Sequence, residues 1–409
     1  MPVLSNIGLL ATCAAGGGPG DVHPIPRAAL AWEEETIRWV GPERDLPAEL
    51  RGAERWDAGG RLVVPGLVDC HTHLCFGGWR ADEFALRLSG ATYAEIARQG
   101  GGIASTVART RALSPDELFA RAAGFLEEMQ RLGVTTAEAK SGYGLDVETE
   151  LRLLRVHRRL DRETPMRVVS TYLGAHALPA EYRDRRGDYL ALVAEEMVPR
   201  VARERLADGV DAYVDEGAFT IAEGRRVLAA ARGSGLPVRL HADQLACTGG
   251  AELAAEMGAL SADHLESVSD RGIAALAASG AVAVTLPIAA LYLGVPPAPA
   301  RKLIEAGVPV AVATDFNPGT SPSYHLPLAL TLACTLQRMT PAEALKGATL
   351  HAARALGLAG AVGSLEPGKA ADLAVIDAES PEEWLYHFRA NACRLTVAAG
   401  RVAWRAPEE

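Results

Sequence analysis

Short apolar runs alternate with helix-forming stretches through the middle of the chain. Near-continuous apolar strands are expected where helices cover a parallel sheet, and eight strand-plus-helix units predict a closed (β/α)8 TIM-type barrel. The predicted barrel strands end in these segments: residues 61–73, 133–141, 167–177, 209–216, 237–243, 260–266, 281–287 and 309–315.

Two helix starts support this segmentation. Ser114-Pro115-Asp116-Glu117 and Thr340-Pro341-Ala342-Glu343 each place a hydroxyl at the N-cap, proline at the first helical position and glutamate three residues after the cap. That pattern predicts a capping box.

Both chain ends instead contain short apolar runs separated by glycine- and proline-rich turns, as in "TIRWVG" and "CRLTVAAGRVAW". This pattern is typical of short strands. We therefore predict an α/β protein with a barrel over residues 61–361 and a small composite β-sandwich domain from residues 1–60 and 362–409.

Composition and net charge limit the classes of partner that the chain could bind. Apolar residues make up 49% of the chain and charged residues 22%, and the net charge of −10 disfavours nucleic acid or an anionic membrane as a partner. No apolar run approaches the roughly 20 residues of a membrane span.

The cysteines and the N-terminus indicate the compartment. Six scattered cysteines without a C-x-x-C pair indicate a reducing compartment. The apolar N-terminal run fits a buried strand better than a signal peptide. We expect a cytoplasmic protein.

Five of the ten histidines stand at or just after a predicted strand end. These ends meet at one face of a barrel, the face that carries the chemistry. The five are His71, His73, His176, His241 and His264.

His71-Thr72-His73 is the sharpest local signal, because residues i and i+2 of a strand point to the same side. With His241 and Asp315, each ending an apolar strand, they form a set suited to one Zn²⁺ or Fe²⁺ with an open position for water. Asp315 alone could equally be a helix cap. A two-metal site needs a bridging group, often a carboxylated lysine, at the end of the fourth strand. That strand ends "YVDEG" and has no lysine, and Lys140 ends the second strand instead. The sequence therefore favours one metal ion.

Several longer motifs resemble those of known protein families. "PGLVDCHTHLCFGG", the lone His241, "SADH" and "ATD" resemble the amidohydrolase superfamily. "QGGGIASTVARTR", "TTAEAKSGYGL", "YLGAHALP" and "TDFNPGTSPS" are similar to the imidazolonepropionase family over about residues 60–370. The resemblance implies hydrolysis of the ring amide of 4-imidazolone-5-propanoate to N-formimidoyl-L-glutamate in histidine degradation. It also implies a homodimer.

The resemblance implies roles for named residues. His71, His73, His241 and Asp315 would bind the metal, and His264 would be the catalytic histidine of the sixth strand. Substrate contacts would come from Arg80, Tyr143, His176, Gln244, Asn317, Gly319 and Thr320. From the residues alone, ordinary loop or core roles remain open for these seven.

Arg80 suits a substrate carboxylate, because guanidinium binds carboxylate in a two-point fork. Two positions depart from the family pattern. Cys70 stands where proline is common, which a small buried apolar role explains. Gln244 stands where some relatives carry glutamate, and because an amide does not shuttle protons at neutral pH, we assign proton transfer to His264 and Asp315.

Three alternatives remain. A deaminase of a heterocyclic base would want an acid at position 244, and a lactamase of the dihydropyrimidinase kind would want the missing bridging lysine. The third is a non-catalytic metal-dependent binding protein, which the open metal position disfavours.

Overall fold

A computed structural model describes residues 1–90, 95 and 101–407 of the chain. Gln99 and Gly100 of the "QGGG" motif and the final residues of the predicted composite domain, Glu408 and Glu409, lie outside these ranges. Within them the strands form two eight-stranded sheets.

The first sheet joins the two chain ends, and we call it the end sheet. Its strands are β1 Val3–Ala11, β2 Pro24–Glu33, β3 Thr36–Pro42, β4 Arg55–Asp57, β5 Leu62–Pro65, β14 Leu373–Ile376, β15 Cys393–Ala398 and β16 Arg401–Arg405. They lie in the order β16-β15-β14-β5-β1-β2-β3, with β4 paired to β1. The sheet is mixed, because β1 pairs antiparallel with β2 and parallel with β4 and β5.

The second sheet is the predicted barrel. Its strands run parallel in chain order, and a bridge between Thr72 and Phe316 joins the first strand to the last. The strands are β6 Leu67–Asp69, β7 Val134–Lys140, β8 Arg167–Ala175, β9 Gly209–Val214, β10 Arg239–Ala242, β11 Ser261–His264, β12 Val282–Thr285 and β13 Val310–Val312.

Helices cover the barrel, and both predicted capping boxes are confirmed at Ser114 and Thr340. The described helices are Ala81–Leu88, Ile103–Arg111, Pro115–Arg131, Val147–Glu163, Arg186–Ala191, Val198–Arg203, Ile221–Gly233, Gly250–Glu256, Asp270–Ser279, Pro287–Leu293, Ala300–Glu305, Leu326–Gln337, Pro341–Lys346, Ala352–Ala355 and Pro381–Tyr386, with π-helical turns at Leu192–Met197 and Gly347–His351.

The chain passes from the end sheet to the barrel at Gly66. The run predicted as one barrel strand, residues 61–73, is divided there, and Leu62–Pro65 pairs with β1 and β14 of the end sheet. A Cβ at Gly66 would lie 2.2 Å from the Thr135 hydroxyl, so only glycine fits this crossing. The domain boundary at residue 60 stays a prediction.

The end sheet packs an apolar core of its own, which includes Leu4, Leu30, Trp32 and Val397. All six cysteines are unpaired thiols, as expected. In the parts of the chain described here, no helix combines the length and the apolar character that crossing a membrane requires.

Candidate active site

The five histidines of the predicted strand ends lie together at one mouth of the barrel. The His71 ring centre is 4.5 Å from that of His241, 5.4 Å from His73 and 5.5 Å from His264. His176 stacks on His73 at 5.1 Å. Residues far apart in sequence therefore share one buried polar centre.

Asp315 joins this centre from the end of the eighth strand. Its Oδ1 is 3.5 Å from Nε2 of both His71 and His73, and His73 Nε2 is 3.4 Å from His241 Nε2. Two trios have ligand atoms within 4.8 Å of one another: His71, His73 and Asp315, and His71, His241 and His264. The four predicted ligands share one centre, and His264 borders it.

The unpartnered Nε2 of His71 fits a divalent cation. His71 Nε2 is buried with no hydrogen-bond partner in the described part of the chain, while its Nδ1 lies 2.6 Å from Asp263 Oδ2. Burial, with Lys140 nearby, holds the pKa of His71 well below its ordinary value. A neutral imidazole whose Nδ1 is held by a carboxylate offers its Nε2 lone pair to a metal.

Burial likewise lowers the pKa of His241 to about 4. Its Nδ1 is 2.9 Å from Asp211 Oδ2. The sequence reasoning missed Asp211 and Asp263. The signal was a charged residue inside each of two apolar strands, "GVDAYV" and "SADH".

Two of the site residues have a left-handed backbone. His264 has φ of 79° and Asp315 has φ of 55°, a region that residues other than glycine seldom occupy. Burial raises the pKa of Asp315 to about 7. His264 Nδ1 faces Glu266 Oε2 at 3.6 Å. The two residues with this strained backbone are the two to which we assigned proton transfer from the sequence.

Arg80 is held rather than solvated. Its side chain is 9% exposed, and its Nε and Nη2 lie 2.9 and 2.8 Å from Glu83 Oε2. A Cβ on Gly319 would lie 2.1 Å from Arg80 Nη1, so glycine leaves room for the guanidinium there. Arg80 therefore lies against the loop that follows Asp315.

The loop after the eighth strand is closed by its own side chains. Asn317 Oδ1 accepts hydrogen bonds from the backbone N–H groups of Gly319 and Thr320, both at 2.8 Å. Asn317 Nδ2 donates to the Asp315 carbonyl at 2.7 Å and to the Thr320 hydroxyl at 2.9 Å. This is the turn chemistry that the residue types alone favour.

Tyr143 and His176 border the ligands from the second and third strands. The Tyr143 ring centre is 5.8 Å from that of His73 and 5.3 Å from that of His176. His176 Nδ1 lies 2.9 Å from the Gly142 carbonyl, an arrangement in which Nδ1–H donates. Burial lowers the pKa of His176 to about 4, so the ring is neutral at pH 7.

Gln244 is half-buried in the loop after the fifth strand. Asp215 shapes this loop: its carboxylate accepts from the backbone N–H of Gln244 at 2.7 Å, of Leu245 at 2.8 Å and of Ala246 at 3.1 Å. Asp215, at the fourth-strand position where a two-metal site would carry lysine, thus supports a loop.

Comparison with known proteins places this chain in a family. A sequence profile of the amidohydrolase family matches residues 62–403. An imidazolonepropionase from Cupriavidus necator is 52% identical over 381 residues, covering 93% of this chain and 91% of that protein. One from Cereibacter sphaeroides is 52% identical over 384 residues, covering 94% and 95%. The chain belongs to the imidazolonepropionase family of amidohydrolases. The resemblance stated from the motifs is confirmed.

Solved structures agree on the fold. A zinc-bound adenosine deaminase from Xanthomonas campestris superposes with a TM-score of 0.72 at 20% identity, over 98% of this chain and 92% of that one. A zinc complex of atrazine chlorohydrolase from Arthrobacter aurescens gives 0.75 at 17% identity, over 98% and 95%. At such identities the likeness concerns the barrel and the end sheet alone.

Proposed function

We propose that this protein hydrolyses the ring amide of 4-imidazolone-5-propanoate to N-formimidoyl-L-glutamate, a step of histidine degradation. Relatives at about half identity over nearly the whole chain carry that activity in their name. The observation that carries the proposal is the guanidinium of Arg80, held by Glu83 against the loop that follows the ligand Asp315. It provides a carboxylate-binding group for the propionate beside a hydrolytic centre.

We assign the metal to His71, His73, His241 and Asp315, with one Zn²⁺ or Fe²⁺ per chain. A divalent cation there supplies Lewis-acid activation of water and of the ring carbonyl. Elemental analysis of the purified protein tests both the ion and the stoichiometry.

The chain's own residues would orient the substrate and move the proton. Arg80 binds the propionate, and Tyr143, His176, Gln244 and the 317–320 loop enclose the ring. Asp315 accepts a proton from the attacking water and passes it to the ring nitrogen as the C–N bond breaks. His264 holds the carbonyl oxygen or the water. Water is thereby added across one amide bond.

The runner-up is a deaminase of a heterocyclic base. It would release ammonia and would place an acid at position 244, where this chain has Gln244. The relatives at high identity favour the imidazolone reaction over it.

One experiment separates the two. Metal-loaded protein is mixed with 4-imidazolone-5-propanoate and the loss of its ultraviolet absorbance is followed, with a chelator-treated sample as control. Parallel samples with cytosine and guanine are assayed for ammonia. We expect metal-dependent loss of the imidazolone and no ammonia; ammonia release without imidazolone turnover would refute the proposal.

We also infer a cytoplasmic homodimer. Six free thiols are consistent with a reducing compartment, and the dimer rests on the family resemblance. Light scattering of the purified protein tests the dimer: twice the chain mass of 43.1 kDa is expected, and the monomer mass would contradict it.

A further inference from the structure

A fully buried lysine lies at the centre of a cluster of carboxylates inside the barrel. Lys140 ends β7, and its side chain has no exposed surface. Its Nζ is 2.8 Å from Glu138 Oε2, 2.8 Å from Asp211 Oδ2 and 3.6 Å from Asp263 Oδ2. An ammonium has three donors and no acceptor, so beside these three carboxylates it acts as a hydrogen-bond donor and counter-ion.

Two of these carboxylates face a histidine with the same oxygen that faces Lys140. Asp263 Oδ2 lies 2.6 Å from His71 Nδ1, and Asp211 Oδ2 lies 2.9 Å from His241 Nδ1. The contacts form one path, His71–Asp263–Lys140–Asp211–His241, whose two ends are ligands assigned to the same ion. Lys140, Asp211 and Asp263 come from the second, fourth and sixth barrel strands, which contribute to common layers of a barrel interior.

The proposed hydrolysis assigns no proton transfer or substrate contact to Lys140 or to the three carboxylates around it. Carboxylates buried without partners are costly, and one positive charge offsets the repulsion between several. Carboxylates that hold Nδ1 fix both the tautomer and the orientation of a histidine ligand, so that Nε2 is the metal-binding nitrogen. The position of the two carboxylates in turn depends on the ammonium between them.

We propose that Lys140 is a positioning residue for the metal site, which sets His71 and His241 through Asp263 and Asp211. This inference rests on the ligand set of the proposed function. It predicts that metal affinity depends on Lys140, which is not a ligand.

The chain offers a matched control in Lys346. It is also buried, and its Nζ donates to the backbone carbonyls of Gly16, Gly18 and Asp21, at 3.0, 3.2 and 2.9 Å. It ties an N-terminal loop to a barrel helix and contacts no histidine of the site. Lys346→Met therefore reports the general cost of removing a buried ammonium.

The test measures Zn²⁺ affinity by competition with a chromophoric chelator, and the thermal unfolding of the metal-free protein, for Lys140→Met and Lys346→Met. We expect about 10- to 100-fold weaker binding for Lys140→Met, and for Lys346→Met a lower unfolding temperature with parental affinity. Parental affinity in Lys140→Met, or an equal loss in both variants, would overturn the proposal.

Asp263→Asn keeps the shape of the side chain and serves if Lys140→Met does not fold. Its amide replaces the carboxylate at His71 Nδ1, and affinity should again fall about 10-fold or more; unchanged affinity would contradict the path. Because no substrate is present, these readouts are independent of the imidazolone assay. Failure of that assay with the Lys140 effect intact would refute the proposed activity alone.

Discussion

The interior of the barrel and the interior of the end sheet are built from different kinds of residue. Leu4, Leu30 and Val397 belong to the apolar cluster that fills the core of the end sheet. The barrel mouth instead buries Lys140, Asp263 and the histidine cluster at 3% exposure or less, apart from His176. Burying such groups costs folding free energy unless each is paired. Their concentration at one mouth therefore indicates that these residues are there for function and not for stability.

The difference predicts two classes of variant. Substitutions in the end sheet should lower the free energy of unfolding and leave catalytic turnover unchanged. Substitutions at the barrel mouth should lower turnover or raise KM and have a smaller effect on stability.

The largest effect is expected for His264→Ala. Removing a group that handles a proton or a developing charge should lower kcat about 10³-fold while the protein still binds metal. Steady-state turnover and metal content measure the two properties. His157→Asn, at a buried histidine on the helix Val147–Glu163 whose ring pairs with Ser170, is the control and should retain turnover. Near-normal kcat in His264→Ala would remove the assigned role.

Leu30→Ala tests the opposite region. Leu30 is fully buried in the end sheet, and truncation should cost about 2–5 kcal/mol of unfolding free energy. Thermal unfolding should shift downward, with kcat unchanged at temperatures where the variant stays folded. A large loss of kcat in folded Leu30→Ala would show that the two regions are not separable.

Arg80→Lys tests whether Arg80 at the barrel mouth binds the propionate of the substrate. A point charge cannot reproduce the guanidinium fork, so KM should rise about 10- to 100-fold with little change in kcat. Glu83→Gln, which weakens the hold on Arg80, should give a smaller rise. Both are read from initial rates at varied substrate. An unchanged KM in Arg80→Lys would refute the assignment to the propionate.

The smallest effect concerns pH and His157. Burial lowers its pKa from 6.5 to about 3, so the folded protein keeps the ring neutral where the unfolded chain protonates it. The stability from the neutral ring is complete above pH 6.5 and is lost as pH falls from there towards 3. Between pH 7 and about pH 5.5, denaturant unfolding of the metal-free parent should lose about 1 kcal/mol more than His157→Asn. Equal losses would argue against a neutral buried His157.

The sequence predicts the barrel and the grouping at its mouth because both follow from local pattern. Apolar strands ending in polar residues require His71, His241 and His264 to meet once the barrel closes. The capping boxes at Ser114 and Thr340 are equally local.

Other features depend on contacts between distant segments. The division of the first strand at Gly66 depends on Thr135, which approaches from another strand. Asp211 and Asp263 are visible in the sequence as charges in apolar strands, but their pairing with Lys140 requires three strands in register.

Hydrolysis at the histidine cluster is expected to require one metal ion per chain. Metal-free protein is titrated with Zn²⁺ under conditions of tight binding, and turnover of 4-imidazolone-5-propanoate is measured at each addition. Turnover should rise linearly and stop rising at one equivalent per chain. A rise that continues to two equivalents, or full turnover in the chelated protein, would contradict it.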